Sequence, residues 1–302
     1  MGNSISLPSR KYLDSPTLSF QRGSYFYTLH RDGKARLSVS DGKREITEPI
    51  FALVGDGEFF QSYLLRHKGV PYRAAVDYVT SLRALELDNE ADPPSSLEAA
   101  LGRHHSENYV RACLACHSPA SVTSNGVNFV NRSLGNTCEV CHGPGSQHVA
   151  LEQAGGSKHT DIFNPGHLTA SAEADFCGQC HTTAAAMRAQ HAEGTRSVIS
   201  EPYRLETSHC WNPNDRRISC TACHDPHKAI VRETAAYDRQ CKACHSASAA
   251  VGFRGGKVAR TCPVGKHNCA GCHMPRVSVP DTPIIYADHR IRIVRADSSF
   301  PE

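Results

Sequence analysis

No apolar run in this 302-residue chain reaches the roughly 18 residues needed to cross a bilayer, so no transmembrane anchor is expected within it. The opening MGNSISLPSRKYLDSP lacks the hydrophobic segment of a secretory leader. Lysine and arginine nowhere cluster with interleaved aromatics, which argues against a nucleic-acid surface. No strict repeat suggests a solenoid. Methionine is scarce, at three residues, and only Met187 and Met274 lie near the cysteine motifs. The most informative absence concerns cysteine itself: no CxxC occurs without a histidine directly after it.

Cysteine is plentiful, and twelve of the fourteen fall into one pattern. The copies are Cys113-Leu-Ala-Cys116-His117, Cys138-Glu-Val-Cys141-His142, Cys177-Gly-Gln-Cys180-His181, Cys220-Thr-Ala-Cys223-His224, Cys241-Lys-Ala-Cys244-His245 and Cys269-Ala-Gly-Cys272-His273. Chance would supply about 0.04 such matches at this cysteine and histidine content. Zinc ribbons place no demand on the residue after CxxC, and a thioredoxin-like motif occurs once. Six copies read as covalent attachment of c-type haem. Two thiols one short turn apart add to the two vinyl groups of one porphyrin, and the adjacent imidazole becomes the proximal iron ligand. The twelve motif cysteines are thus expected to hold six haems c, with His117, His142, His181, His224, His245 and His273 on their irons.

Three consequences follow. The formal charge of +3 becomes about −3 if each oxidised haem with its two propionates adds roughly −1. Haem c is normally attached outside the cytoplasm, so the expected location is the periplasm or cell exterior, with a leader removed or replaced. The two cysteines left over, Cys210 and Cys262, favour a disulfide in an exported chain. It would close a loop of about 50 residues, worth roughly 4 kcal/mol.

The chain divides by texture. Residues 1–94 contain no CxxCH. There SYFYTLH alternates Tyr25, Tyr27 and Leu29 on one face, RDGK and SDGK mark turns around ARLSVS, and GDG marks another at 55–57. ITEPIFALV, EFFQSYLLRH and VPYRAAVDYV continue the strand pattern. ADPPSS at 91–96 reads as a linker, and Ser95-x-x-Glu98 resembles a capping box opening a short helix through Leu101. The expected fold is a small β-rich N-terminal region, 1–94, followed by a loop-rich, mainly α multihaem cytochrome c domain, 95–302. Six haems in about 160 residues leave too little polypeptide for a conventional core, so macrocycles must supply much of the buried apolar surface. Such density also forces neighbouring haems together.

Each iron has a sixth position, and twelve histidines lie outside the motifs. His148 follows the turn GPGSQ, and His227 lies just past a motif in CHDPHK. His105, with His104 competing, precedes the first motif, and His289 sits in the strand-like tail YADHRIRIV. These four lead as distal ligands. His209, His267 and His167 compete for the remaining positions. His159 and His191 lie in polar or helix-like surroundings, while His30 and His67 default to surface residues of the β region. Met274 directly follows His273 and points the wrong way for the same iron.

The segments CEVCHGPGSQH, CTACHDPHK, CAGCHMP and DHRIR resemble multihaem cytochromes c related to the nitrifier tetrahaem cytochrome and the hydroxylamine oxidoreductase group. They look most like bacterial multihaem cytochromes with CHGPGSxH, CHDPH and CHMP motifs, some of which carry tetratricopeptide repeats. The likeness covers roughly 45–295, and no helical repeats follow it. It implies a distal-ligand role for His148. That group is functionally mixed, so the resemblance speaks to cofactor more than task.

Three functions stay open: electron transfer along closely spaced, mostly bis-His haems, exchanging electrons with other redox proteins; self-association into an extracellular conducting filament; and an oxidoreductase acting on a small nitrogen or sulfur compound at one open haem. No motif replaces its histidine with lysine, and Tyr109, Tyr203 and Arg204 are the residues considered for a substrate pocket.

Overall fold

The computed structural model describes residues 5–6, 17–30, 35–55, 59–88, 94–128, 135–156, 162–246, 261–280, 285–295 and 300. The chain forms two compact units, Met1–Gly143 and Pro144–Glu302. This division does not coincide with the 94/95 boundary expected from texture. One strand of the later segment joins the sheet, and two of its helices pack on it.

The first unit is built on antiparallel strands β1 (Ile5–Ser6), β2 (Thr17–Arg22), β3 (Tyr25–His30), β4 (Arg36–Ser40), β5 (Glu45–Val54), β6 (Phe60–His67), β7 (Val70–Ala74), β8 (Val76–Val79), β9 (Ala84–Leu87) and β10 (Gly102–His104). Their order is β10-β7-β6-β5-β4-β3-β2, with β1 on β5, β8 on β6 and β9 on β8. The sheet curls until β2 lies against β9. Alternation sets its inner face: Tyr27 and Leu29 of β3, Leu37 and Val39 of β4, and Tyr63 and Leu65 of β6 are all buried. Between β4 and β5 the Asp41 carboxylate accepts from the amides of Lys43 and Arg44 at 2.9 and 2.7 Å, closing the SDGK turn. Lys68 and Gly69 both take positive φ, +50° and +82°, as a two-residue hairpin between β6 and β7 requires. The RDGK turn and residues 56–57 of GDG lie outside the described residues.

Helix α1 (Leu97–Leu101) packs Leu97, Ala100 and Leu101 into the sheet's core cluster. Its cap is Ser96, whose hydroxyl accepts from the Ala99 amide at 3.1 Å, one residue later than the capping box expected at Ser95. Gly102 then lets β10 pair with β7: a Cβ there would stand 2.1 Å from the Arg73 carbonyl oxygen. Helix α2 (Glu107–His117), capped by Ser106, carries the first motif. Its Val110 and Leu114, four apart and therefore on one face, cover Ala52 and Leu64 of the sheet. Burying those two side chains contributes roughly 1.5–3 kcal/mol each. The second motif is helix α3 (Cys138–His142).

The second unit contains α4 (Ser146–Gln153), α5 (Ala170–His181), α6 (Ala184–Ala189), α7 (Glu201–Glu206), α8 (Cys220–Cys223), α9 (Asp238–His245) and α10 (Cys269–His273). A short pair of strands, β13 (Arg276–Ser278) and β14 (Ile285–Ala287), follows α10; in the first unit β11 (Val122–Thr123) and β12 (Gly126–Val127) form another. Thr169, Thr183 and Ser200 cap α5, α6 and α7 through their hydroxyls. The apolar cluster here is small: Ala170, Ala174, Leu205 and Trp211, with Ile218 and Ile291 against it. Among the described residues no helix is long and apolar enough to cross a membrane.

Candidate haem-attachment sites

All six motifs sit on a turn of helix. Five end a helix on their histidine, and His224 directly follows α8. A helical turn sets the two cysteines of CxxC, three apart, on one side, and leaves the histidine next to the second. No disulfide joins any two of the fourteen cysteines. The disulfide expected between Cys210 and Cys262 is therefore not formed. The Cys262 sulfur instead accepts from the Gly265 amide at 3.4 Å, and amides of Gly265 and Val264 hold its pKa below the ordinary thiol value. Burial raises Cys210, with Cys244 nearby.

In the second unit the motifs approach one another in chain order. Helices α5 and α8 pack together, so Cys177 of the third motif neighbours Cys220 of the fourth. Each thiol acts on the other, lowering the Cys177 pKa and raising that of Cys220. Helices α9 and α10 likewise bring Cys241 of the fifth near Cys269 of the sixth, and Cys241 lies within electrostatic reach of Cys223 of the fourth. One device recurs in these pairs. The fully buried Glu173, on α5 one turn before Cys177, accepts from the Thr221 amide at 2.6 Å and its hydroxyl at 3.2 Å, capping the fourth motif's helix. Asp238, at the start of α9, accepts from the amides of Asn268 and Cys269 at 2.9 and 2.8 Å, capping the sixth. Each helix has unpaired N–H groups and a positive end there, which a carboxylate satisfies. Sequence reasoning missed both acids. Their only local mark is a position three or four residues ahead of a CxxCH.

Several motif histidines are already oriented through one ring nitrogen. His273 donates from Nδ1 to the Arg292 carbonyl at 2.8 Å. His224 Nδ1 lies 3.4 Å from the Tyr237 hydroxyl, which itself donates to the Val231 carbonyl. His181 Nδ1 lies 3.4 Å from Glu201 Oε2. Glu201 raises the His181 pKa, against burial. Burial first, and then the nearby His289, lower that of His224 and favour its neutral form. An imidazole held through Nδ1 has a fixed tautomer and keeps its Nε2 lone pair for a metal.

The expected distal ligands fare differently. His289 lies beside His224, their ring centres 6.1 Å apart and their planes tilted by 47°, and its Nδ1 donates to the Ala287 carbonyl at 3.0 Å. Two imidazoles bound at about 2 Å on opposite sides of one metal, with about 1.1 Å from nitrogen to ring centre, would have ring centres roughly 6 Å apart. His148 lies in α4 with a buried Nδ1 that has no hydrogen-bond partner among the described residues. His105 stacks on Tyr109 at 3.6 Å, and His104 lies near Tyr72. His227, 75% exposed, sits 3.5 Å from Asp225. His267, 85% exposed, sits 3.8 Å from Asp238 and 3.5 Å from Lys242. His209, His167 and His191 are exposed, and His159 falls outside the described residues.

Two expectations are corrected. His67 is not a surface residue. It falls on the inward face of β6 with Gln61, Tyr63 and Leu65, is buried, and bonds through Nδ1 to Glu48 at 2.7 Å. His30 is half-buried against the Ser38 hydroxyl at 2.9 Å. Nor does the tail continue as strand past Ala287. The Asp288 carboxylate accepts from the Arg290 amide and turns the chain, and Ser208 holds it through the His289 carbonyl and the Ile291 amide.

No three His, Cys, Asp or Glu side chains among the described residues cluster as a compact metal site. The donor set suits a macrocycle tethered by two thiols and ligated along its axis, with the His224–His289 spacing as its clearest expression. Comparison with protein-family models, with curated proteins and with solved structures finds no match to this chain.

Proposed function

We propose that this chain is an exported hexahaem cytochrome c that transfers electrons. Bound haem supplies a one-electron iron couple, and the polypeptide tunes it. In this reading the six CxxC pairs tether the macrocycles, and His117, His142, His181, His224, His245 and His273 bind the irons. His289 would provide a second imidazole to the haem held by His224. Donation from Nδ1 of His273 to Arg292 and of His289 to Ala287 orients each ring and raises its basicity. His105, His148, His209, His227 and His267 are the pool for further distal ligands. The chain order of contacts, third to fourth to fifth to sixth motif, favours a continuous row of redox centres. Its partners are donor and acceptor redox proteins or further copies of the chain, with no nucleic acid.

The observation that carries this reading is the set of six complete motifs, joined by the 6.1 Å spacing of His224 and His289. Intact mass after expression with a haem c maturation system tests it, together with a potentiometric titration of the α-band. Six covalent haem masses and reversible titration over a broad potential range are expected. A chain carrying fewer haems, or none, would overturn it.

A further inference from the structure

Arg204, on α7, is one of the largest fully buried side chains of the protein, 1% exposed. It makes a bidentate pair with Asp288, itself fully buried: Nε to Oδ1 and a terminal nitrogen to Oδ2, both 2.8 Å. Its other terminal nitrogen donates to the Ser197 hydroxyl at 3.2 Å. Arg292 reaches the same Asp288 carboxylate from the tail. A planar guanidinium bonded twice fixes orientation as well as distance. A buried ion pair is weak evidence for stability, but it can specify one arrangement.

What it specifies here is the segment 288–292. Asp288 is followed directly by His289, whose ring centre lies 6.1 Å from that of His224. Four residues after Asp288, the Arg292 carbonyl receives Nδ1–H of His273, while the Arg292 amide donates back to the His273 carbonyl at 3.2 Å. The Asp288 amide donates to the Pro275 carbonyl at 2.9 Å, tying the segment to the residues just past the sixth motif. One short segment thus serves the fourth and the sixth motif. At the other end of α7, Glu201 stands beside His181 of the third.

We infer that Arg204 is a positioning residue that, through Asp288, places His289 over the fourth haem and the Arg292 carbonyl against the sixth haem's proximal histidine. This rests on the haem reading above. The test compares Arg204→Lys, Arg204→Gln and Asp288→Asn with His289→Ala in the haem-loaded protein. The readouts are low-temperature EPR, near-infrared magnetic circular dichroism and potentiometric titration. His289→Ala is expected to convert one haem in six to high-spin iron. Arg204→Gln and Asp288→Asn are expected to give the same single high-spin signal and to raise the potential of one further haem, whose ligand loses its Nδ1 acceptor. Arg204→Lys keeps the charge and loses the fork, so its effect is smaller on both readouts. Six low-spin signals with unchanged potentials in both Arg204→Gln and Asp288→Asn would overturn the inference while leaving the ligand reading intact. A uniform disturbance of all six haems would also overturn it, since that marks a general role in folding. No high-spin iron in His289→Ala would sink the ligand reading and the inference with it.

Discussion

Among the described residues, seventeen buried apolar side chains meet in one cluster of the sheet unit, whereas the apolar cluster of the second unit contains four, two of them alanines. The two units are of similar length, 143 and 159 residues. The first holds together as an ordinary domain does, by removing apolar surface from water. The second relies on helix caps crossing between motifs and on a buried ion cluster, contacts that direct more than they stabilise. Side chains alone give it little apolar interior, so on the proposed reading the macrocycles are its core. On that reading the cofactors take the place of a hydrophobic core, and the chain supplies tethers and orientation.

The largest test of that difference is to make the chain without haem attachment. Hydrogen exchange is then expected to show the sheet unit's β3–β7 amides protected and those of α5, α8, α9 and α10 exchanging freely. Equal protection in both units would break the comparison. Next come matched truncations. Leu37→Ala, at a site with no exposure, should cost about 2–5 kcal/mol in denaturant unfolding of the sheet unit. Leu205→Ala, in the smaller cluster, should cost less, and an equal or larger loss would show a second-unit core stronger than this account allows.

The fold was legible in the sequence where its causes are local. The alternation of Tyr25, Tyr27 and Leu29 marks β3 and its inward side, and SDGK marks a turn because Asp41 caps the amides two and three residues on. The motifs are legible because two thiols and an imidazole need fixed spacing. What could not be read depends on distant partners. Glu173 caps a helix 48 residues away, and Arg204 meets Asp288 across 84. Arg204 entered as a pocket candidate and is instead sealed in an ion pair. Nothing near Gly102 announces that it opens a strand pairing with one 28 residues earlier, at Ala74. The Cys210–Cys262 pairing failed because counting spare cysteines says nothing of their separation.

A smaller effect concerns acidity in the sheet unit. Asp77 and Asp88 share the guanidinium of Arg73, at 3.2 and 3.0 Å. Burial, only partly offset by Arg73, lifts the Asp77 carboxyl to about 6. Its folded pKa lies above the unfolded value of 3.8, so the folded state binds the extra proton between those values. Asp77 therefore weakens the unit as pH rises from about 4 to about 6, by up to roughly 3 kcal/mol. Asp77→Asn should remove that part of the pH dependence, read from denaturant midpoints across this window. An unchanged slope would contradict the assignment. The smallest expected effect is Glu173→Gln. It keeps one acceptor for Thr221 but removes the charge, and should cost about 1–2 kcal/mol of second-unit stability in denaturant midpoints. No measurable loss would remove the cap from the account.

The most direct measurement of the central claim is low-temperature EPR with near-infrared magnetic circular dichroism on the fully oxidised, haem-loaded protein. The proposed electron-transfer reading predicts low-spin bis-imidazole signals, including one from a haem that would be held by His224 and His289. A stoichiometric high-spin haem that shifts on adding nitrite or hydroxylamine would contradict it and make that haem a substrate site.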